Sequence, residues 1–209
     1  MLESFLIAFA TFFATIGPPD SAVIFAALTA GRPDGERRRL AFKATLIGAS
    51  ILLFFAILGK PLLTYLGITL AALRTAGGIL LLLIAIDMVF ARLSGGTSTT
   101  AEEKAEAAGR ADISVFPLAT PLIAGPGAIG AVILLVAEAA DDPVHIMIVV
   151  GALIAVLTIV CLLMLLAAQF NRLFGLTGAH VLSRVLGILL AALAVQFLFD
   201  GIRESGLLT

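Results

Sequence analysis

Ten residues in two short clusters could do chemistry. The first cluster is Thr15, Gly17, Pro18, Asp20 and Ser21, and the second is Thr120, Gly125, Pro126, Gly127 and Ala128. Each interrupts an apolar run long enough to cross a bilayer, and Gly17 and Gly125 lie 108 positions apart in a 209-residue chain, one in each half. Proline has no N–H and clashes with the carbonyl four residues back, so neither run can be one unbroken helix. In hydrocarbon the freed polar groups need partners, and irregular backbone survives there only where protein buries it or where it lines a wet cavity. Interrupted segments at corresponding positions of two halves point to a transport site.

Such breaks offer two kinds of backbone group. Pro18 and Pro19 deprive the carbonyls near Ala14 and Thr15 of their donors, leaving acceptors for a cation or an ammonium group. The half-helix starting near Asp20, and its counterpart over 128–132, point N–H groups and a positive dipole end into the same space. A small zwitterion suits both ends at once. Ala22, Gly127, Ala128 and Gly130 leave room and bring no long side chains, which favours a small solute. Asp20 is the acid closest to a break; it serves as an N-cap or as the group that couples transport to H+ or Na+. Ser21 is a candidate substrate hydroxyl, with Thr15 and Thr120 as weaker ones. The competing reading is that Gly-Pro only bends each helix for packing.

Other chemistries are excluded. Gly125-Pro126-Gly127-Ala128-Ile129-Gly130 spells a dinucleotide fingerprint, but no strand precedes it and no βαβ unit surrounds it. Asp141 and His145 have metal-pair spacing without a third ligand, so no metal is expected. No serine elbow or Ser-His-acid set occurs, and no enzymatic activity, cofactor or nucleic-acid partner is expected. Cys161, the single cysteine, sits among Val160, Leu162 and Leu163 and reads as packing.

The elements that must hold these clusters are membrane helices. Hydrophobic residues make up 61% of the chain and charged ones 13%, and mean hydropathy is +1.16. The excess falls in runs of about twenty residues, the length that spans a bilayer core. Six spans are expected, over 2–30, 40–59, 71–90, 113–139, 145–168 and 183–202, with connections at 62–70 and 171–180. Ala44 and Gly48 on the second span have the spacing that lets helices approach closely. Residues 91–112 turn abruptly polar, rich in Gly, Ser and Thr and then in Glu and Lys. They divide the chain into a first three-helix unit over 1–90 and a second over 113–209.

The halves resemble each other beyond the breaks. Leu66-Gly67-Ile68-Thr69 answers Phe174-Gly175-Leu176-Thr177, and Arg74-Thr75-Ala76-Gly77 answers Arg184-Val185-Leu186-Gly187. Three spans per half is an odd number, so a duplicated second half is inserted upside down. With both termini extracytoplasmic, inward loops hold Arg32, Arg37, Arg38, Arg39, Lys43, Arg92, Lys104, Arg110, Arg172 and Arg184, against Lys60, Arg74 and Arg203 outside. That bias fits the positive-inside rule. The expected fold is therefore an all-α, multi-pass inner-membrane protein of two inverted three-helix repeats, with helices 1 and 4 discontinuous at the Gly-Pro breaks.

Phe116-Pro117-Leu118-Ala119-Thr120-Pro121-Leu122-Ile123-Ala124-Gly125-Pro126-Gly127-Ala128-Ile129, and Arg74-Thr75-Ala76-Gly77-Gly78-Ile79-Leu80-Leu81 with Asp87-Met88 after it, resemble the MarC family of six-span membrane proteins. The resemblance covers nearly the whole chain. It implies inverted repeats whose first and fourth helices cradle substrate, and transport of small neutral amino acids such as glycine and alanine on an ion gradient. At the first break the family commonly reads Ile-Asp-Pro and then Gly-Asn. Here Gly17 replaces that Asp and Asp20-Ser21 replaces Gly-Asn, so the acid has moved by about one helical turn.

The expected function is secondary transport of a small neutral amino acid by alternating access, coupled to H+ or Na+. An exporter of amino acids or other small solutes is the related alternative. A membrane enzyme acting on lipid phosphates and a non-transporting membrane factor are the alternatives of a different class.

Overall fold

The computed structural model describes residues 1–90, 112–139 and 142–206, with only the backbone at 168–180, 182 and 183. The polar stretch 91–111 and Asp141 lie outside the described residues. Among the described residues every regular element is helical.

Seven α-helices form: α1 (Leu2–Ile16), α2 (Pro18–Leu28), α3 (Asp34–Tyr65), α4 (Leu70–Phe90), α5 (Pro126–Glu138), α6 (Pro143–Leu165) and α7 (Ala167–Glu204). A wide-turned segment, Ser114–Ile123, precedes α5. Among the described residues five stretches are long and apolar enough to cross a membrane, the α1–α2 pair counting as one. The Ser114–Ile123 segment and α5, bent by 54° at their junction, pass the same test together and make a sixth if the pair is one span.

Two helices outrun their expected spans. The α3 helix continues through Pro61 to Tyr65, where a connection over 62–70 was expected. Likewise α7 runs unbroken from Ala167, so its backbone stays helical across the expected connection over 171–180. Glycine and proline mark a break only where the chain also has somewhere else to go. For α3 the next turn comes at Gly67, in the left-handed conformation at φ 68°, and both helices are longer than the roughly 30 Å of hydrocarbon requires.

Small residues set the packing. Gly48 of α3 lies against Ile123, where an added Cβ would come 3.0 Å from Ile123 Cβ, and Gly59 of α3 lies against Ile133 of α5. Two successive positions on α4 point to different partners. Gly77, Leu81 and Ile84 share one face, and Gly77 meets Leu134 of α5. Gly78 meets the carbonyl of Ala194 and Leu198 of α7, while Gly187 of α7 meets Met88 and the carbonyl of Ala85. Gly201 of α7 closes on the backbone of Ala71 and Thr75. These contacts run α4 and α7 antiparallel, with backbones close enough that a Cβ at Gly78 would lie 2.8 Å from the Ala194 oxygen.

Around that pair, α1 and α2 pack on α6, while α5 and the Ser114–Ile123 segment pack on α3. The α2 helix touches α7, α5 touches α4, and α1 touches α5. Many of the exposed side chains are large and apolar, among them Phe42, Leu46, Phe54, Ile57, Leu83, Ile188 and Phe199, as a lipid-facing surface requires.

Candidate functional site

At the first break, Gly17 takes the left-handed conformation at φ 60°, ψ 62°, ending α1 and opening α2 in one residue. Glycine reaches this region without steric cost. Its N–H still closes α1 on the Phe13 carbonyl at 3.1 Å, and its own carbonyl accepts from Ser21 N at 2.9 Å. Pro18 and Pro19 carry no N–H, so Ala14 and Thr15, both buried, keep carbonyls without their usual donors four residues on. The α2 helix begins at Pro18 rather than near Asp20, and of its first three positions only Asp20 has an N–H to offer. The first break is therefore richer in acceptors than in donors.

Three side chains of the first cluster are tied into this geometry. Thr15 Oγ1 donates to the Thr11 carbonyl at 2.8 Å. Ser21 Oγ reaches across the break to the Ile16 carbonyl at 3.3 Å. Asp20 is half-buried and folds back over the break, its Oδ2 3.5 Å from where a Gly17 side chain would begin.

The second break is built differently. Phe116 and Thr120 are extended within the Ser114–Ile123 segment. Hydrogen bonds there span five residues: Leu118 N to the Ile113 carbonyl at 3.3 Å, Ala124 N to the Ala119 carbonyl at 2.8 Å. Thr120 Oγ1 follows the same step back to the Val115 carbonyl at 3.2 Å. Gly125 is extended and buried, and Pro126 opens α5. Proline suits this first position because its missing N–H would have lacked a partner in any case. Ile129 N is the first amide of α5 to close a helical bond, on the Gly125 carbonyl at 3.0 Å. The amides of Gly127 and Ala128 precede it and belong to the unsatisfied first turn.

The two breaks meet. A Cβ at Gly127 would lie 3.9 Å from Thr15 Cβ. Thr15, at the end of α1, and Gly127, in the first turn of α5, are therefore neighbours inside the core. The same Cβ would overlap Ile84 Cδ1 of α4 and lie 3.7 Å from its Cγ1. Sequence reasoning did not find Ile84, because an isoleucine in an apolar span carries no signal of its own. Thr120, five residues before Gly125, has its hydroxyl turned into its own segment.

Two ionic clusters lie at opposite ends of the helices. Arg74, near the start of α4, donates from Nε to Glu138 Oε1 at 2.6 Å and from Nη1 to Glu204, joining α4 to the ends of α5 and α7. At the other end Lys43 of α3 pairs with Asp112, whose Oδ1 also accepts from Ser114 N at 3.0 Å. The Lys43 hydrogen bond, then those from the Ser114 side chain and backbone, hold the Asp112 carboxyl well below the usual carboxylate range. Among the described residues no group of three or more His, Cys, Asp or Glu is placed to hold a metal ion.

Comparison with known proteins fits this architecture. The family model described as MarC family integral membrane protein matches residues 2–205. A UPF0056 membrane protein of Archaeoglobus fulgidus is 40% identical over 206 residues, covering 98% of this chain and 94% of its own length. The UPF0056 membrane protein YvbG of Bacillus subtilis is 33% identical, covering 97% of this chain and 96% of its own. YhcE of Escherichia coli is 34% identical, over 91% and 88% respectively. No solved structure matches the chain.

Proposed function

The chain belongs to the MarC family of integral membrane proteins, and on that footing we propose that it is a secondary transporter of small neutral amino acids, of the size of glycine or alanine. The observation that carries this reading is the meeting of Thr15 and Gly127. The two are in contact here, so an amino acid enters as the breaks part, its ammonium going to the Ala14 and Thr15 carbonyls and its carboxylate to the Gly127 and Ala128 amides, on the positive end of α5. The two breaks are unequal in a way that suits an unequal ligand.

The packing supports two inverted repeats. Exchange the halves, and the main packings map onto one another: α1–α2 on α6 onto the segment and α5 on α3, and α2 on α7 onto α5 on α4. The α4–α7 pair maps onto itself, as an antiparallel pair must. Alternating access then consists of rocking around the broken helices. Asp20, half-buried beside Gly17, is the group through which H+ or Na+ couples to that motion. With both termini extracytoplasmic in the inner membrane, the Arg74 cluster closes the outer end and the Lys43–Asp112 pair the inner end.

Ligand-induced thermal shift tests this reading, since a ligand that prefers the folded state stabilises by RT ln(1 + [L]/Kd). Glycine and alanine are expected to raise the melting temperature saturably, and Asp20→Asn to change how that shift depends on pH or sodium. If no amino acid acts at millimolar concentration while anionic lipids do, the breaks are structural and the transport reading fails.

A further inference from the structure

We infer that Ile84 of α4 sets the upper limit on the size of the amino acid side chain, as a third wall that neither break contains. This rests on the transport reading above. Ile84 shares the α4 face of Gly77 and Leu81, the face turned to α5, and is 6% exposed. Its terminal methyl occupies the place a Gly127 side chain would take, beside Thr15. Gly127 supplies one of the two amides that open α5, so the isoleucine stands against the backbone that receives the carboxylate. A ligand held by its carboxylate there, and by its ammonium at the Ala14 and Thr15 carbonyls, has its Cα between the two breaks. The apolar side chain at the junction of Thr15 and Gly127 is Ile84. Glycine places only hydrogen against it and alanine one methyl. Each further methylene must displace the isoleucine or find space beyond it.

The contact also ties position 127 to position 84. A Cβ there overlaps the far end of Ile84, so the two positions share one volume: what α5 yields, α4 fills. Substitution at one position is therefore compensated by a reduction at the other. A residue that merely filled the core would lower stability when truncated but leave the ranking of ligands alone.

The test is thermal-shift titration of purified wild type, Ile84→Ala and Ile84→Val with glycine, alanine, 2-aminobutyrate and valine. Wild type should respond to glycine and alanine only. Ile84→Ala is expected to bind valine at least about tenfold more tightly than wild type, the usual size of a one-methylene effect in an apolar pocket, with glycine changed less than threefold. Ile84→Val, the milder change should the alanine variant not fold, is expected to admit 2-aminobutyrate. An unchanged ranking in both variants, with glycine and alanine still binding, overturns the role of Ile84 and leaves the transport reading standing. A wild type that no amino acid stabilises overturns both.

Discussion

A single methyl group at Gly17 should cost more than its size suggests. The left-handed backbone there is strained for any L-residue with a side chain, by about 1–2 kcal/mol, although a Cβ would meet only Asp20 at ordinary contact distance. Gly17→Ala is therefore expected to lower the melting temperature through conformation rather than crowding, and Gly17→Asn, which tolerates that region better, to lower it less. Asp112 offers a different kind of prediction. Its carboxyl titrates below the usual range in the folded chain. The Lys43–Asp112 contribution is thus complete above the unfolded value, about 3.9, and is lost as pH falls through the folded one. Asp112→Asn should remove that part of the acid dependence. Because both side chains are about half exposed, the loss at neutral pH should not exceed about 1 kcal/mol, readable as a shift in the denaturation midpoint. At this scale the sequence was a good guide to backbone and a poor one to side-chain company. Proline and glycine declare their constraints in one letter. That Ile84 would lean on Gly127 depends on residues far apart in the chain.

Among elements, the ties of α4 decide most. Arg74 holds two carboxylates at once, from α5 and from α7, so removing the arginine strands both acids while removing either acid leaves the other pair intact. Arg74→Gln is expected to destabilise by about 2–3 kcal/mol and each of Glu138→Gln and Glu204→Gln by less, in thermal unfolding of the three variants side by side. The glycines of α4 and α7 should be equally selective. Gly78→Ala must move backbone, since its Cβ would fall 2.8 Å from the Ala194 oxygen, and overpacking of this kind costs about 1–3 kcal/mol. Gly151→Ala on α6, with nothing within 4 Å, is expected to cost nothing. The sequence already pointed to Gly48 as a close-approach position, and Gly48 does meet Ile123. The bounds of α3 and α7 escaped it, because Pro61 and Gly175 resemble stops when read one span at a time, whereas a helix projecting beyond the hydrocarbon stops only where water and a turn receive it.

For the whole molecule, the expected orientation is open to direct labelling. In a Cys161→Ala background, Ser205→Cys, exposed beyond α7, should react with a membrane-impermeant maleimide on intact cells, and Arg38→Cys, exposed at the start of α3, only after permeabilisation. The reverse pattern would place the termini inside. The order in which the chain is made adds a constraint of its own. The α4 helix completes its glycine-lined face only against α7, more than a hundred residues later. During synthesis the first three spans therefore wait in the bilayer with Gly78 turned to lipid, and the ion pair between Arg74 and Glu204 forms only when the last helix arrives. A ribosome stalled before α7 leaves half of this seam exposed. Such a truncated chain should be degraded faster than the complete one, because the part that welds the protein together is the part delivered last.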